Sequence, residues 1–108
     1  MKRGEVRWYT FKAPDKRRPV LILTRDSAIG FLNALTIAPL TTTIRDIPTE
    51  VYLTPAEGVH SECVVNLDNL QTVPRDSIGA LITTLSATRM EEVKQAISFA
   101  LGFDSPLH

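Results

Sequence analysis

The sequence predicts a mainly β protein with a single long C-terminal helix, its strands arranged as a small antiparallel barrel or sandwich. Three observations predict it. Several short runs of β-branched or alternating residues are separated by Pro, Gly, Asn and Asp turn signals. The last third changes to a helical period. At 108 residues the chain is long enough for one core and too short for two, so a single domain over 1–108 is expected.

Glu5–Phe11 alternates, with Val6, Trp8 and Thr10 on one side and Arg7, Tyr9 and Phe11 on the other, as a half-exposed strand does. Residues 12–16 hold a Pro-Asp turn signal with flanking charges. Residues 20–23 form a continuous apolar run, predicting a strand buried on both sides, which Arg25, Asp26, Ser27 and Gly30 interrupt. Residues 35–40, Glu50–Leu53, 62–67 and 70–73 read as further strands, the last two around Asp68 and Asn69. Pro74 to Ile78 predicts a short helix ended by Gly79. In the terminal helix Ser86 is the N-cap, Leu85 and Met90 form a hydrophobic staple, and Glu91 and Glu92 come early, where negative charge is favoured. Met90, Val93, Ile97, Ala100 and Leu101 mark its packed face, and Gly102 supplies the stop. Residues 103–108 are expected to fray.

Composition excludes several functions. No window approaches the roughly 20 apolar residues that cross a bilayer, and charge breaks up the N-terminus, so neither a membrane span nor a secretory signal is expected and a cytoplasmic location follows. Cys63 is the only cysteine and reads as a small buried hydrophobe. His60 and His108 lie far apart without ligand spacing, so no metal or other cofactor is expected. Formal net charge is zero, yet residues 1–25 carry 8 basic and 2 acidic side chains against 4 basic and 10 acidic in the remainder. That asymmetry suits either a local basic groove or a set of solvated loop charges.

Two residues stand out chemically. Arg18 precedes Pro19 at the lip of the apolar strand, and Thr49 stands between Pro48 and the alternating Val51 and Leu53. Strand ends hold such side chains still and open to solvent. A fixed guanidinium and a fixed hydroxyl, without a histidine or metal cluster, suit recognition or cleavage of a phosphodiester. Taken singly, the ordinary readings come first: Arg18 as a surface partner of Asp15 or Glu50, and Thr49 as a β-branched strand residue.

Five segments in order resemble the MazF/PemK family of toxin ribonucleases: Gly4-Glu5-Val6, Arg18-Pro19-Val20-Leu21-Ile22-Leu23, Ala38-Pro39-Leu40-Thr41 with Pro48-Thr49-Glu50-Val51, the stretch from Val65 to Val73, and Leu85-Ser86 through Ala100-Leu101-Gly102. The resemblance implies an SH3-like barrel with a C-terminal helix, a homodimer, a cognate antitoxin, and metal-independent cleavage of single-stranded RNA at short sequences, leaving a 2′,3′-cyclic phosphate and a 5′-hydroxyl. Residue by residue, it implies that Arg18 and Thr49 are catalytic. Asn69 and Gln71 fall in the family's stretch near the RNA groove and suit base edges, though turn and edge-strand polarity explains them equally. Thr41, Thr43 and Arg45 lie on the loop leading to Thr49, where Arg45 suits a phosphate, though a solvated loop charge is the commoner role of such a residue. Lys16 and Arg17 make the loop before Arg18 basic. That loop is shorter than in many family members and lacks their Gly-Ser-Glu element, which opens the substrate class to structured tRNA or ribosomal loops as well as messenger RNA. The His and Asp pair of the PemK branch is also missing.

Because RNA carries its own 2′-hydroxyl nucleophile, the reaction is already intramolecular. Arginine, with a pKa above about 12, is a poor base, so Arg18 is expected to stabilise phosphate charge while Thr49 donates a hydrogen bond. Two other readings are a CcdB-like topoisomerase poison, against which stands the lack of an exposed aromatic anchor on the terminal helix, and an RNA-binding barrel without chemistry.

Overall fold

Strand β1 (Glu5–Phe11), predicted by its alternation, pairs antiparallel with strand β2 (Lys16–Ile22) as a hairpin, with register from Val6↔Leu21 to Phe11↔Lys16. The computed structural model describes residues 1–12 and 16–104, Lys16 through its backbone alone. The short helix α1 (Asp26–Ile29) leads into strand β3 (Ala34–Thr41), the hub of the sheet. One edge of β3 pairs with β2; the other pairs with strand β5 (Cys63–Asn66) at Leu40 and Thr41 and with strand β6 (Gln71–Pro74) over its first half. Strand β4 (Glu50–Leu53) flanks β5, and strand β7 (Ile78–Thr84) flanks β1, giving the order β4-β5-β3-β2-β1-β7 with antiparallel pairs.

The outermost strands β4 and β7 do not pair with each other. A 3₁₀ turn, Pro55–Glu57, fills the seam: the Thr83 hydroxyl donates to the Glu57 carbonyl at 2.8 Å, and Arg89 donates to both Glu57 carboxylate oxygens at 2.5 and 3.3 Å. Gly58 completes the turn at φ +98°, where a Cβ would lie 2.4 Å from the Thr83 hydroxyl, so only glycine fits. The sheet is therefore barrel-like, joined across its seam by side chains.

Helix α2 (Ala87–Ala100) covers one face. Ser86 caps it by accepting the Arg89 N–H at 3.2 Å. Its end is a Schellman motif: Gly102, at φ +78°, donates to Phe99 at 3.1 Å and Phe103 donates to Ser98 at 2.8 Å. One core cluster, containing Val6, Leu21, Leu53, Val65 and Val93, lies under α2, and a second, with Val20, Ile22, Leu35 and Ile37, lies on the opposite side. As predicted, the apolar end of β2, Val20, Leu21 and Ile22, is buried on both faces.

Several expectations are corrected. The strand predicted over 20–23 starts earlier, because pairing with β1 carries it back through Pro19, Arg18 and Arg17. The helix predicted from Pro74 is one 3₁₀ turn, Arg75–Ser77, and Gly79 lies inside β7. There a Cβ would meet the Trp8 carbonyl oxygen at 3.3 Å, so glycine permits close strand approach where a helix stop was expected. On α2, Val93 and Ala96 are the buried residues, Leu101 is exposed, and Glu91 and Glu92 lie beyond the first turn. Phe103 is hydrogen-bonded, so the predicted fraying does not begin there. The Pro-Asp turn and His108 lie outside the described residues.

Candidate nucleic-acid cleft

Two prolines open the cleft. Proline has no N–H to donate, and the β2–β3 ladder stops at Val20↔Pro39, one residue after Pro19. Beyond that point β2 stays with β1 while β3 continues to β5, and the strands part around a cleft of about 380 Å³. Phe11 and Arg18 line it from the hairpin, Pro39 and Thr41 from the end of β3, and Thr43, Arg45 and Glu50 from the next loop. Asn66, Asn69 and Gln71 complete it from the β5–β6 turn. Arg18 is therefore at the mouth of a cleft, but in mid-strand, held opposite Tyr9, and not at a strand lip. Among the described residues it forms no ion pair within 4.0 Å, with Glu50 or any other carboxylate.

Local side-chain bonds shape the rim. Glu50 Oε1 accepts the backbone N–H groups of Arg45 at 2.9 Å and Asp46 at 3.1 Å, and Asp46 takes a left-handed conformation at φ 55°. The Thr41 hydroxyl accepts from the Thr43 N–H at 3.1 Å, and Asn66 Oδ1 from the Asp68 N–H at 3.0 Å. Polar side chains bonding to backbone two to five residues away hold these loops without ladder pairing.

Thr49 departs from expectation. It stands at the entrance of β4 but is 6% exposed and does not line the cleft. Its hydroxyl donates to Asp68 Oδ2 at 2.6 Å, and its carbonyl accepts the Leu67 N–H at 2.9 Å. A threonine hydroxyl has one proton to donate, so Thr49 bonds a phosphate only by turning away from Asp68. What sequence reading took for an open hydroxyl is a buried tie between the β4 entrance and the β5–β6 turn.

The family described as PemK-like, MazF-like toxin of type II toxin-antitoxin system matches residues 2–101. The chain belongs to the PemK/MazF toxin family. Probable endoribonuclease MazF2 of Mycobacterium tuberculosis is 41% identical over 103 residues, covering 94% of this chain and 99% of that protein. Endoribonuclease MazF3 of the same species is 41% identical over 90 residues, 83% of this chain and 87% of that one. Among solved structures, Mycobacterium tuberculosis toxin MazF-mt6 superposes with a TM-score of 0.84 at 36% identity over 91% of this chain and 96% of its own. A mycobacterial endoribonuclease in complex with its cognate antitoxin gives 0.87 at 27% identity, over 98% and 99%.

Within this PemK/MazF chain three of the N-terminal cations are committed elsewhere. Arg17 lies over the Trp8 ring at 4.1 Å, Arg7 pairs with Glu5 at 2.8 Å, and Arg3 donates to the Leu23 carbonyl at 2.9 Å. Of the eight expected to make a basic groove, Arg18 alone lines the cleft among the described residues; its second cation, Arg45, comes from the acidic remainder. The Lys16 side chain lies outside what is described. His60 is exposed and away from the cleft lining. Burial, with Glu57 nearby, pushes the Cys63 thiol up to about 11, as suits a packed hydrophobe and not a nucleophile. Among the described residues no three His, Cys, Asp or Glu side chains cluster as metal ligands.

Sequence reading missed Phe11, Pro39, Glu50 and Asn66 as cleft residues. Glu50 and Asn66 sit directly beside segments already singled out, and their opposed positions in the β4–β5 register, Glu50↔Asn66, bring them to one rim. Only strand pairing reveals that.

Proposed function

We propose that this chain is the toxin of a type II toxin–antitoxin pair and an endoribonuclease that cleaves single-stranded RNA in the cleft at Arg18. The reading is carried by the convergence there of a guanidinium that forms no ion pair among the described residues with polar side chains from three separate segments, in a PemK/MazF chain. Arg18 binds the scissile phosphate and stabilises the charge that builds as the 2′-hydroxyl attacks; Arg45 holds a neighbouring phosphate. Asn69 and Gln71, joined by Asn66, offer amides to the edges of unpaired bases, and the Phe11 ring offers a stacking face. Thr49 supports phosphate binding once its hydroxyl swings from Asp68. This transesterification requires no metal, because the nucleophile belongs to the substrate. Lys16 and Arg17, which precede Arg18 in the sequence, add positive charge to the RNA-binding segment.

Solved relatives include an endoribonuclease in complex with its cognate antitoxin. We accordingly assign this chain an antitoxin, whose acidic segment covers Arg18 and Arg45 and so excludes RNA. The protein acts as a homodimer in the cytoplasm, with an expected solution mass about twice its 12.0 kDa. No helix among the described residues is long and apolar enough to cross a membrane.

The test is incubation with mixed RNA in EDTA, mapping new 5′ ends, for wild type and Arg18→Ala. Cleavage should fall about 10²–10³-fold in the variant. Undiminished cleavage removes Arg18 from the centre. A gel shift without cleavage returns the binding-barrel reading, and supercoiling defects without cleavage return the topoisomerase reading. Its earlier counter-argument no longer stands, since Phe99 on α2 is 49% exposed.

A further inference from the structure

The ribonuclease reading leaves one chemical need unmet: something must accept the 2′-hydroxyl proton. Arg18 and Arg45 are cations, and Asn66, Asn69 and Gln71 are neutral amides without basicity. Among the described residues Glu50 is the one carboxylate lining the cleft. Its two oxygens are not equivalent. Oε1 accepts the Arg45 and Asp46 N–H groups at 2.9 and 3.1 Å, which fixes the carboxylate plane, and no hydrogen bond engages Oε2 among the described residues. Glu50 also stays apart from Arg18, forming no ion pair within 4.0 Å, so both face the space where a phosphate and its 2′-oxygen would lie.

We propose that Glu50 is the general base of the cleavage reaction. Its free oxygen takes the 2′-hydroxyl proton as the 2′-oxygen bonds to phosphorus. The bond from phosphorus to the 5′-oxygen breaks, the departing 5′-oxygen takes a proton from water, and Glu50 returns its own proton to solvent. The products are a 2′,3′-cyclic phosphate and a 5′-hydroxyl. Arg18, on the same cleft, neutralises the phosphate in the same step. The other charged groups around Glu50 are Arg45 in the cleft and Glu92 and Asp104 in the groove on its opposite side.

The proposal rests on the ribonuclease reading, and Glu50→Gln separates the two. Glutamine keeps a carbonyl oxygen for the Arg45 and Asp46 N–H groups and loses only basicity. Single-turnover cleavage and RNA affinity are measured across acid to neutral pH for wild type and variant. The expected result is a wild-type rate that falls toward acid, a variant slower by about 10²–10³-fold at neutral pH with that acid limb gone, and RNA affinity retained or tightened. A variant that cleaves like wild type with the same pH profile, while Glu50→Ala fails, makes Glu50 a loop brace and overturns the proposal alone. Should Glu50→Gln lose its fold by circular dichroism, the wild-type profile decides: a rate flat toward acid overturns the proposal. Failure of wild type to cleave any RNA overturns the ribonuclease reading and this assignment with it.

Discussion

At the residue scale the decisive contrast is between Arg18 and Thr49. Both were conspicuous as side chains next to prolines, yet one ends exposed in the cleft and the other 6% exposed with its proton given to Asp68. The Thr49 hydroxyl therefore carries a structural job whatever else it does. Thr49→Val keeps the shape and removes the bond, which should lower the unfolding free energy by about 0.5–1.5 kcal/mol in urea titrations. Thr49→Ser restores the hydroxyl and should recover most of that stability. Cleavage measured on the same pair divides the two roles: activity lost in the valine variant and regained in the serine variant assigns the hydroxyl to the reaction, while equal activity in both leaves it as a tie.

At the scale of elements, the unpaired ladder and the unpaired seam do different work. The β2–β3 ladder ends at Val20↔Pro39, next to Pro19, and the gap becomes the cleft. The β4–β7 gap is instead filled by the Pro55–Glu57 turn, pressed against Thr83. Gly58 is the tightest point of that joint. Gly58→Ala must either abandon φ +98° or push Thr83 aside from a 2.4 Å approach, and should cost about 1–3 kcal/mol in chemical denaturation. A stability equal to wild type would mean that the turn relaxes freely and that the seam is looser than its geometry states.

At the scale of the whole molecule, the Glu57–Arg89 pair joins three elements, the seam turn, β7 through Thr83, and α2. Partial burial alone would raise the Glu57 carboxyl, but the Arg89 hydrogen bond, a backbone N–H from Thr54 and the Arg89 charge together hold it below its ordinary 4.5. A lowered carboxyl stabilises the fold fully above its unfolded value and loses that contribution as pH falls through the folded one. Arg89→Met, which keeps the apolar stem, should thus be less stable than wild type by up to about 1 kcal/mol near neutral pH. The difference should shrink as pH falls below about 4.5, measured by thermal melts across pH. A gap independent of pH would assign the loss to packing.

Much of this was legible in the sequence because it depends on neighbours along the chain. Alternation gives β1, a doubly apolar run gives the core of β2, and Ser86 and Gly102 bracket α2 through bonds spanning only a few residues. Family membership likewise shows in ordered local segments. What failed were positions whose meaning depends on distant partners: Gly79 resembles a helix stop until Trp8 lies across it, and Ala96 is buried in place of Leu101 because of how α2 rests on the sheet. The candidate site divides in the same way. Of the residues named from the sequence, Arg18, Thr41, Thr43, Arg45, Asn69 and Gln71 line the cleft, whereas Arg17 lies over Trp8, Thr49 is buried and the Lys16 side chain is outside what is described. Only the tertiary structure decided that Thr49 turns inward to Asp68 and that Glu50 turns one oxygen to the loop with the cleft before it, because burial and hydrogen-bond direction are set by strands far apart in the chain.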